Sequence, residues 1–246
     1  MVICSCDGSV DGILTAVFEA WSIDIKTSEI SVNRHGNMVM FAEYRDVETD
    51  YGKAARVASA VINKISPEAY ELVYYACLSC DEERGNAILQ FIRKGMRMGA
   101  AVIDDLQDVN VMKVFEMKRN AFREMEHYRG FLRFVQHGDY LLARFEPRND
   151  LLVPIADFFG DRLMQENYAI VDMARGKAAV HRAREPFYLC DVDAELIRDI
   201  EYEDEEKVIN GLWKTFESTI GIEARYNPEL QRQNMPLRFR KYMNME

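Results

Sequence analysis

The chain has 246 residues, 48% of them hydrophobic, and a formal net charge of −10. This composition excludes intrinsic disorder and fits one large globular domain or two small ones. No window approaches 18 apolar residues, and residues 1–13 carry two aspartates where a signal peptide needs positive charge, so we expect a cytoplasmic protein that does not enter a membrane.

The first hundred residues read as a layer of strands and helices. An apolar strand at residues 2–6 is followed by the loop DGSVDG and a helix at residues 13–21. The loop offers two carboxylates and no cation, which favours a capped turn over a phosphate cradle. The pattern further predicts a small hairpin from residues 30–32 and 38–42. Three helices follow, at residues 50–64, 68–79 and 82–98.

Residues 119–148 are the most distinctive stretch of the chain. They follow an amphipathic pattern at residues 111–125, which predicts a helix that ends at Gly130. Two strands, at residues 131–136 and 140–145, then form a hairpin. Residues 113–148 carry a net charge of +3, as do residues 225–246, whereas residues 185–206 carry −9. Any binding of nucleic acid must therefore be local.

The remaining pattern completes an α+β fold. A helix at residues 151–163, capped by Asn149 or Asp150, is followed by a hairpin that turns at Arg175-Gly176. The order strand, strand, helix, strand, strand predicts an antiparallel sheet with a helix on one face. An acidic connector, a helix at residues 208–219 and an extended arm at residues 225–243 follow. We place the two domains at residues 1–108 and 109–246.

Several motifs together resemble a bacterial family of unknown function that is assigned to DNA metabolism or DNA repair. They are DGSVDGILTA at residues 7–16, FREMEHYRGFLRF at residues 122–134, the set Phe159, Arg162 and Asp172, and RYNPELQRQNMPLR at residues 225–238. The resemblance implies a partner that is a radical SAM protein, and some members are fused to a uracil-DNA glycosylase domain. It implies no catalytic residues, so roles must be argued from the residues themselves.

Cysteine spacing raises the question of a metal site. Cys4-x-Cys6 and Cys77-x-x-Cys80 together supply four thiols, which is enough for zinc or an iron-sulfur cluster. Both pairs lie in apolar surroundings, where small buried thiols are common, so the pattern favours reduced structural cysteines. We therefore expect no metal and no cofactor in this chain, and we assign any iron-sulfur cluster to the partner.

No residue set defines a reaction, so the sequence leaves open whether the protein is an enzyme. His127 and His181 are the candidate acid-base residues, and each is more typical of a satisfied histidine than of a catalyst. Asp172 lies in an apolar strand and needs a partner, which Arg162 or Arg175 can supply. The favoured interpretation of this set is a buried ion pair that holds the fold together.

Two function classes remain for the basic stretch and the arm. In the first, the protein is a DNA-metabolism or repair accessory that binds single-stranded or damaged DNA. In the second, it is an interaction scaffold whose acidic connector and arm dock a partner without nucleic-acid contact. For the basic stretch itself, the alternative is that the aromatic rings lie in the core and the arginines pair with Glu116, Glu124 and Glu126 on a solvated helix face. The nucleic-acid hypothesis offers basic side chains for phosphates and rings for unstacked bases. Its candidate residues are Arg123, His127, Tyr128, Arg129, Phe131, Arg133, Gln231, Arg232 and Arg238.

Overall fold

The computed structural model describes residues 1–23, 28–32, 40–193 and 227–242. Helices and strands are mixed throughout, which confirms the predicted α+β class. The chain forms two compact units, Met1–Phe122 and Arg123–Glu246. Within the described residues, no helix combines the length and the apolar character that a membrane span requires.

A three-stranded parallel sheet forms the centre of the first unit. β1 (Val2–Ser5) lies between β2 (Ser28–Ser31) and β3 (Glu43–Asp46), and both neighbours run parallel to it. The predicted hairpin is therefore wrong: Ile30 pairs with Cys4 of β1, and residues 33–39 lie outside the described residues. The apolar strand β1 takes the buried centre, while all four residues of β3 are exposed at the edge.

The loop after β1 is a capped turn, as predicted. The hydroxyl of Ser9 accepts a hydrogen bond of 2.9 Å from the amide of Gly12 and so caps α1 (Val10–Ala20). Asp7 Oδ1 in turn accepts from the amide and the hydroxyl of Ser9, at 2.9 and 2.7 Å. The two carboxylates of the loop thus lie where helix N-termini favour negative charge.

The three predicted helices of the first unit are confirmed. They are α2 (Tyr51–Lys64), α3 (Pro67–Cys77), which Ser66 caps, and α4 (Arg84–Met98), which continues into a 3-10 helix at Gly99–Asp104. Their apolar faces join α1 and β1 in one core, in which Ile13, Leu89 and Phe91 are fully buried. This core is the main source of stability in the first unit.

Helix α5 (Val109–Phe131) is a continuous helix of 23 residues, one residue longer at its C-terminus than the predicted end at Gly130. Asp108 Oδ1 accepts from the amides of Asn110 and Val111 and so caps its start. The division between the compact units falls inside this helix, because Val111, Val114 and Met117 on one of its faces belong to the core of the first unit. The sequence had placed the boundary at 108/109.

The second unit contains a mixed five-stranded sheet in the order β4-β5-β6-β7-β8. Its strands are β4 (Phe134–His137), β5 (Tyr140–Phe145), β6 (Tyr168–Asp172), β7 (Lys177–His181) and β8 (Tyr188–Asp191). The predicted hairpins β4-β5 and β6-β7 are antiparallel, and β8 is an additional strand. β5 and β6 are parallel, so the expectation of a purely antiparallel sheet is wrong.

Helix α6 (Leu152–Arg162) connects β5 to β6 and explains their parallel pairing. A crossover helix returns the chain to the end of the sheet where β5 began, so β6 runs in the same direction as β5. Its Phe159 packs on Phe134, with ring centroids 4.9 Å apart, and its Ala156 carbonyl accepts a 3.1 Å hydrogen bond from Tyr168 Oη. The predicted cap by Asn149 or Asp150 is absent, since Leu151 occupies the N-cap without a side-chain bond.

The C-terminal residues are helical and not an extended arm, which corrects the prediction. Asn227 Oδ1 accepts a 3.0 Å hydrogen bond from the amide of Leu230 at the start of α7 (Pro228–Asn234), where proline favours a first helical turn. The C-terminal 3-10 segment, Leu237–Tyr242, follows. The predicted helix at residues 208–219 and nearly all of the acidic connector lie outside the described residues.

Candidate nucleic-acid interface

A buried carboxylate near the end of α5 fixes the loop between β5 and α6. Glu124 is only 3% exposed, and its oxygens accept hydrogen bonds from the amides of Arg148 and Asn149 at 3.1 and 3.0 Å. Asn149 Nδ2 donates a third bond of 2.6 Å. Glu124 is therefore a structural acceptor in the core, and the prediction that placed it on a solvated helix face is wrong.

The same loop is fixed from its other side by the turn after β6. Arg175 donates to the carbonyls of Pro147 and Arg148, at 3.1 and 2.7 Å, and its guanidinium contacts the carboxylate of Asp172 at 2.9 Å. Asp172 is fully buried and accepts further bonds from the amides of Ala174 and Arg175. Burial raises the pKa of Asp172, and the positive charge of Arg175 opposes that effect.

Of the two candidate partners for Asp172, the structure thus brings Arg175 into contact. Arg162 is the last residue of α6 and is exposed. The ion pair holds a loop that follows the carboxyl end of β5 in a strand-helix-strand unit. Side chains at such ends lie where parallel sheets commonly bind ligands.

An aromatic cluster covers the last turns of α5. Phe239 of the C-terminal 3-10 segment lies 4.8 Å from His127, 4.9 Å from Tyr128 and 6.2 Å from Phe131, measured between ring centroids. Tyr128 is 5% exposed and donates a 3.0 Å hydrogen bond to the carbonyl of Glu146, and its burial raises the pKa of its phenol. Tyr128 is therefore a core residue beneath Phe239, and its ring is not an exposed stacking surface.

Two arginines lie near this cluster, and His127 within it is a third basic side chain. Arg123 and His127 are one helical turn apart on α5, and the Arg238 side chain is 41% exposed with its Nη2 3.6 Å from Glu124 Oε1. Burial lowers the pKa of His127, and the charges of Arg238 and Arg123 lower it further, while Glu124 acts in the opposite direction. The structure thus brings together Arg123, His127, Phe131 and Arg238, which we call the basic surface.

The other candidate residues lie elsewhere on the second unit. Arg129 is two residues from His127 and so points to the opposite side of α5, where its guanidinium lies 4.7 Å from the Phe158 ring and 2.6 Å from Glu126. Arg133 and Arg232 are exposed, and Arg133 contacts only backbone carbonyls of its own turn in the described structure. Gln231 belongs to α7, but its side chain is outside the described residues.

The cysteines are placed as structural residues. Cys4, Cys6 and Cys77 are buried, and burial raises the pKa of the Cys77 thiol to about 12. Cys80 is exposed. Across the part of the chain that the structure describes, no three histidine, cysteine, aspartate or glutamate side chains are arranged to hold a metal ion.

A cleft of about 880 Å³ in the first unit also offers cations to a ligand, but these cations already have partners. It is lined by Cys4 and by residues of α1, β3 and α2. Lys53 contacts Glu19 at 2.6 Å, and Arg45 contacts Glu43 at 2.9 Å. The cleft contains none of the predicted site residues, so the basic surface remains the better candidate.

Sequence reasoning missed the roles of Glu124 and Phe239, although each carried a signal. Glu124 falls on the buried stripe of α5, between Ala121 and Tyr128, and a carboxylate at such a position requires hydrogen-bond donors. Phe239 is a ring within the otherwise basic stretch RFRK. An aromatic residue among exposed cations in a terminal segment indicates an anchor that packs on the rest of the fold.

Comparison with known proteins gives one result. The model of a family named domain of unknown function DUF4130 matches residues 82–244, about two thirds of the chain. This range includes α5, the five-stranded sheet and the C-terminal 3-10 segment. No curated protein matches the chain.

Proposed function

The chain belongs to the DUF4130 family, and we propose that it binds single-stranded nucleic acid through the basic surface of its second unit. The observation that carries this proposal is the electrostatic setting of His127. Two positive charges, those of Arg123 and Arg238, act on it, and one negative charge, that of Glu124, opposes them and forms an ion pair with Arg238. The positive charge of the surface is therefore only partly neutralised.

The chemistry of the surface suits phosphate groups next to unstacked bases. Guanidinium groups bind phosphate oxygens through paired N–H donors, and the partly buried ring of Phe131 lies against His127 with ring planes 16° apart. Aromatic faces beside cations are the common means by which proteins hold single strands. Because the whole chain carries a net charge of −10, attraction at long range is weak and contact must be short-ranged.

We further propose that this binding serves DNA metabolism or repair together with a radical SAM partner. The support is the resemblance of residues 7–16, 122–134 and 225–238 to a family with that assignment. The motif at residues 122–134 contains both Arg123 and His127, and the motif at residues 225–238 contains Arg238. In this role the protein presents the nucleic acid, and the partner supplies the cluster chemistry.

The experiment measures binding of a fluorescein-labelled 15-nucleotide single strand by anisotropy at several salt concentrations. In the double variant Arg123→Gln/Arg238→Gln, affinity should fall about tenfold. The slope of log affinity against log salt concentration should become less negative by about 1.4, the value expected for the loss of two phosphate contacts. The matched control is Arg162→Gln/Arg182→Gln, which removes the same charge from two exposed residues outside the basic surface.

Equal losses in both double variants would show that only net charge matters, and the basic surface would then have no specific role. Unchanged affinity in the first variant would remove the proposal altogether.

An interaction scaffold is the second candidate, and one observation in the first unit favours it. Met40 and Phe41 are 79% and 93% exposed immediately before the exposed edge strand β3. Exposed apolar residues next to a sheet edge are typical of protein contacts. Met40→Ser/Phe41→Ser should abolish capture of the radical SAM partner if the scaffold function holds, and should leave nucleic-acid binding unchanged.

A further inference from the structure

The C-terminal 3-10 segment inserts one ring into a pocket made by α5. Phe239 is 4% exposed, whereas the two residues before it are exposed, Leu237 at 65% and the Arg238 side chain at 41%. The pocket walls are the rings of His127 and Tyr128, each with its centroid within 5 Å of the Phe239 centroid. The segment is thus attached chiefly through one side chain, with polar contacts on either side of it.

A carboxylate oxygen that has room for another donor faces Arg238, the residue next to Phe239. In Glu124, Oε2 accepts two hydrogen bonds from Asn149, and Oε1 accepts one from the amide of Arg148. An oxygen of this kind accepts two bonds. The second position of Oε1 faces Arg238 Nη2 at 3.6 Å, which is an ion pair but too long for a hydrogen bond within the described structure.

Arg238 and Phe239 together present the pocket with the chemical features of a nucleobase. The guanidinium carbon of Arg238 lies over the face of the Phe239 ring, 4.6 Å from its centre, so one short segment supplies both a flat ring and a group of N–H donors that faces Glu124. Cytosine, adenine and guanine have the same combination, since each carries an amino group on the edge of a flat ring. A carboxylate accepts a hydrogen bond from such an amino group, and thymine has no amino group to donate one.

We propose that the pocket filled by Phe239 is a binding site for an unstacked, amino-bearing nucleobase, and that the C-terminal 3-10 segment is an internal occupant which the base displaces. This inference rests on the proposed binding of single strands by the basic surface. Arg123 and the displaced Arg238 then contact the phosphates on either side of the bound base. A base attached to a phosphate backbone fits this combination of pocket and cations better than an aromatic side chain of a protein does.

Displacement makes affinity depend on how firmly the segment is held. A site that is open only a fraction of the time binds more weakly by that fraction, and a change that empties the pocket removes this penalty. Phe239→Ala empties the pocket and keeps the two cations that contact the phosphates, Arg123 and Arg238. Leu237→Ala is the matched control, because it truncates an apolar residue of the same segment that is 65% exposed.

The test uses the full chain and labelled strands of 15 deoxycytidines or 15 thymidines. Phe239→Ala should bind the cytidine strand about tenfold more tightly than the unaltered protein does and the thymidine strand about equally, and Leu237→Ala should change neither. As a second readout on the unaltered protein, amide hydrogen exchange at residues 237–242 should become faster when the cytidine strand is added.

The remaining outcomes separate the two proposals. If the unaltered protein binds strands but Phe239→Ala binds no better, or residues 237–242 exchange at the same rate or more slowly, the pocket is not a base site and the basic surface stands without it. If neither protein binds strands at low salt, the proposed function fails and the base site fails with it. Faster exchange caused by a protein partner alone assigns the pocket to a peptide and overturns the inference.

Discussion

Glu124 and Asn149 form a buried hydrogen bond of 2.6 Å across 25 residues of sequence, and this bond connects helix α5 to the loop before α6. The loop amides of Arg148 and Asn149 converge on the same carboxylate. One side chain of the helix thus holds one side of the loop, and Arg175 holds the other.

The first prediction concerns the stability that Glu124 provides. Glu124→Ala should lower the free energy of unfolding by about 3 kcal/mol, because it leaves buried donors of the loop without an acceptor. Urea denaturation measures the change. Glu126→Ala is the control: Glu126 is exposed, its ion pair with Arg129 is worth at most about 1 kcal/mol, and its loss should be correspondingly small. A loss below 1 kcal/mol for Glu124→Ala would contradict the structural role.

A second prediction follows from the lowered pKa of His127, which burial and the charges of Arg238 and Arg123 produce against the opposing charge of Glu124. The unfolded chain binds a proton near pH 6.5 and the folded chain only at lower pH, so stability falls as the pH decreases below that value. His127→Gln should remove this part of the pH dependence.

The measurement compares the unfolding free energies of both proteins at pH 7.5 and pH 5.5. The difference between the two pH values should be smaller in the variant, and an equal difference would show that His127 titrates as it does in the unfolded chain. Phosphate groups bound beside His127 favour its protonated form, so the unaltered protein should also bind single strands more tightly at pH 5.5.

The cysteines should differ sharply in reactivity. Cys80 is exposed and should react with a thiol reagent under native conditions within minutes. Cys77, whose pKa burial raises to about 12, should react only when the protein unfolds, as should the buried Cys4 and Cys6. Counting released chromophore before and after denaturant checks this. Rapid reaction of Cys77 in the folded protein would show that the apolar core around it opens readily.

Two glycines should respond to alanine in opposite directions. At Gly85 an added Cβ lies 2.7 Å from Ile30 Cγ2 and 2.9 Å from the Ile30 carbonyl oxygen, so Gly85→Ala should cost about 2 kcal/mol through overpacking. At Gly130, in the last turn of α5, the added Cβ meets nothing within 4 Å. Gly130→Ala should therefore raise stability by about 0.5 kcal/mol. Thermal unfolding of both variants provides the comparison.

The sequence predicted most of the helices, because their evidence is local. Apolar periodicity and the caps Ser9 and Ser66 lie within a few residues of the helices they define. Strand pairing is different, since the apolar pattern of a strand does not identify the strand beside which it lies in the sheet. The central position of β1 and the parallel pairing of β5 with β6 depend on contacts between distant residues.

The candidate site was predicted only in part for the same reason. The basic residues Arg123, His127 and Arg238 were identified from composition, but their proximity depends on how the C-terminal 3-10 segment packs on α5. For Tyr128 the sequence leaves open an exposed stacking ring and a core ring, because rings among arginines occur in exposed sheets and in cores alike. Its hydrogen bond to the carbonyl of Glu146, 18 residues away, is what makes it a core residue.

The contacts that hold the β5-α6 loop also bear on which substitutions the loop can accept during evolution. Glu124 and Arg175 bind amides and carbonyls of Pro147, Arg148 and Asn149, so much of the loop's conformation is specified by main-chain atoms. The exposed side chain at position 148 takes no part in these bonds. Mutations at position 148 therefore leave the hydrogen bonds that hold the loop in place, so we expect this position to vary among homologous proteins that keep the same architecture.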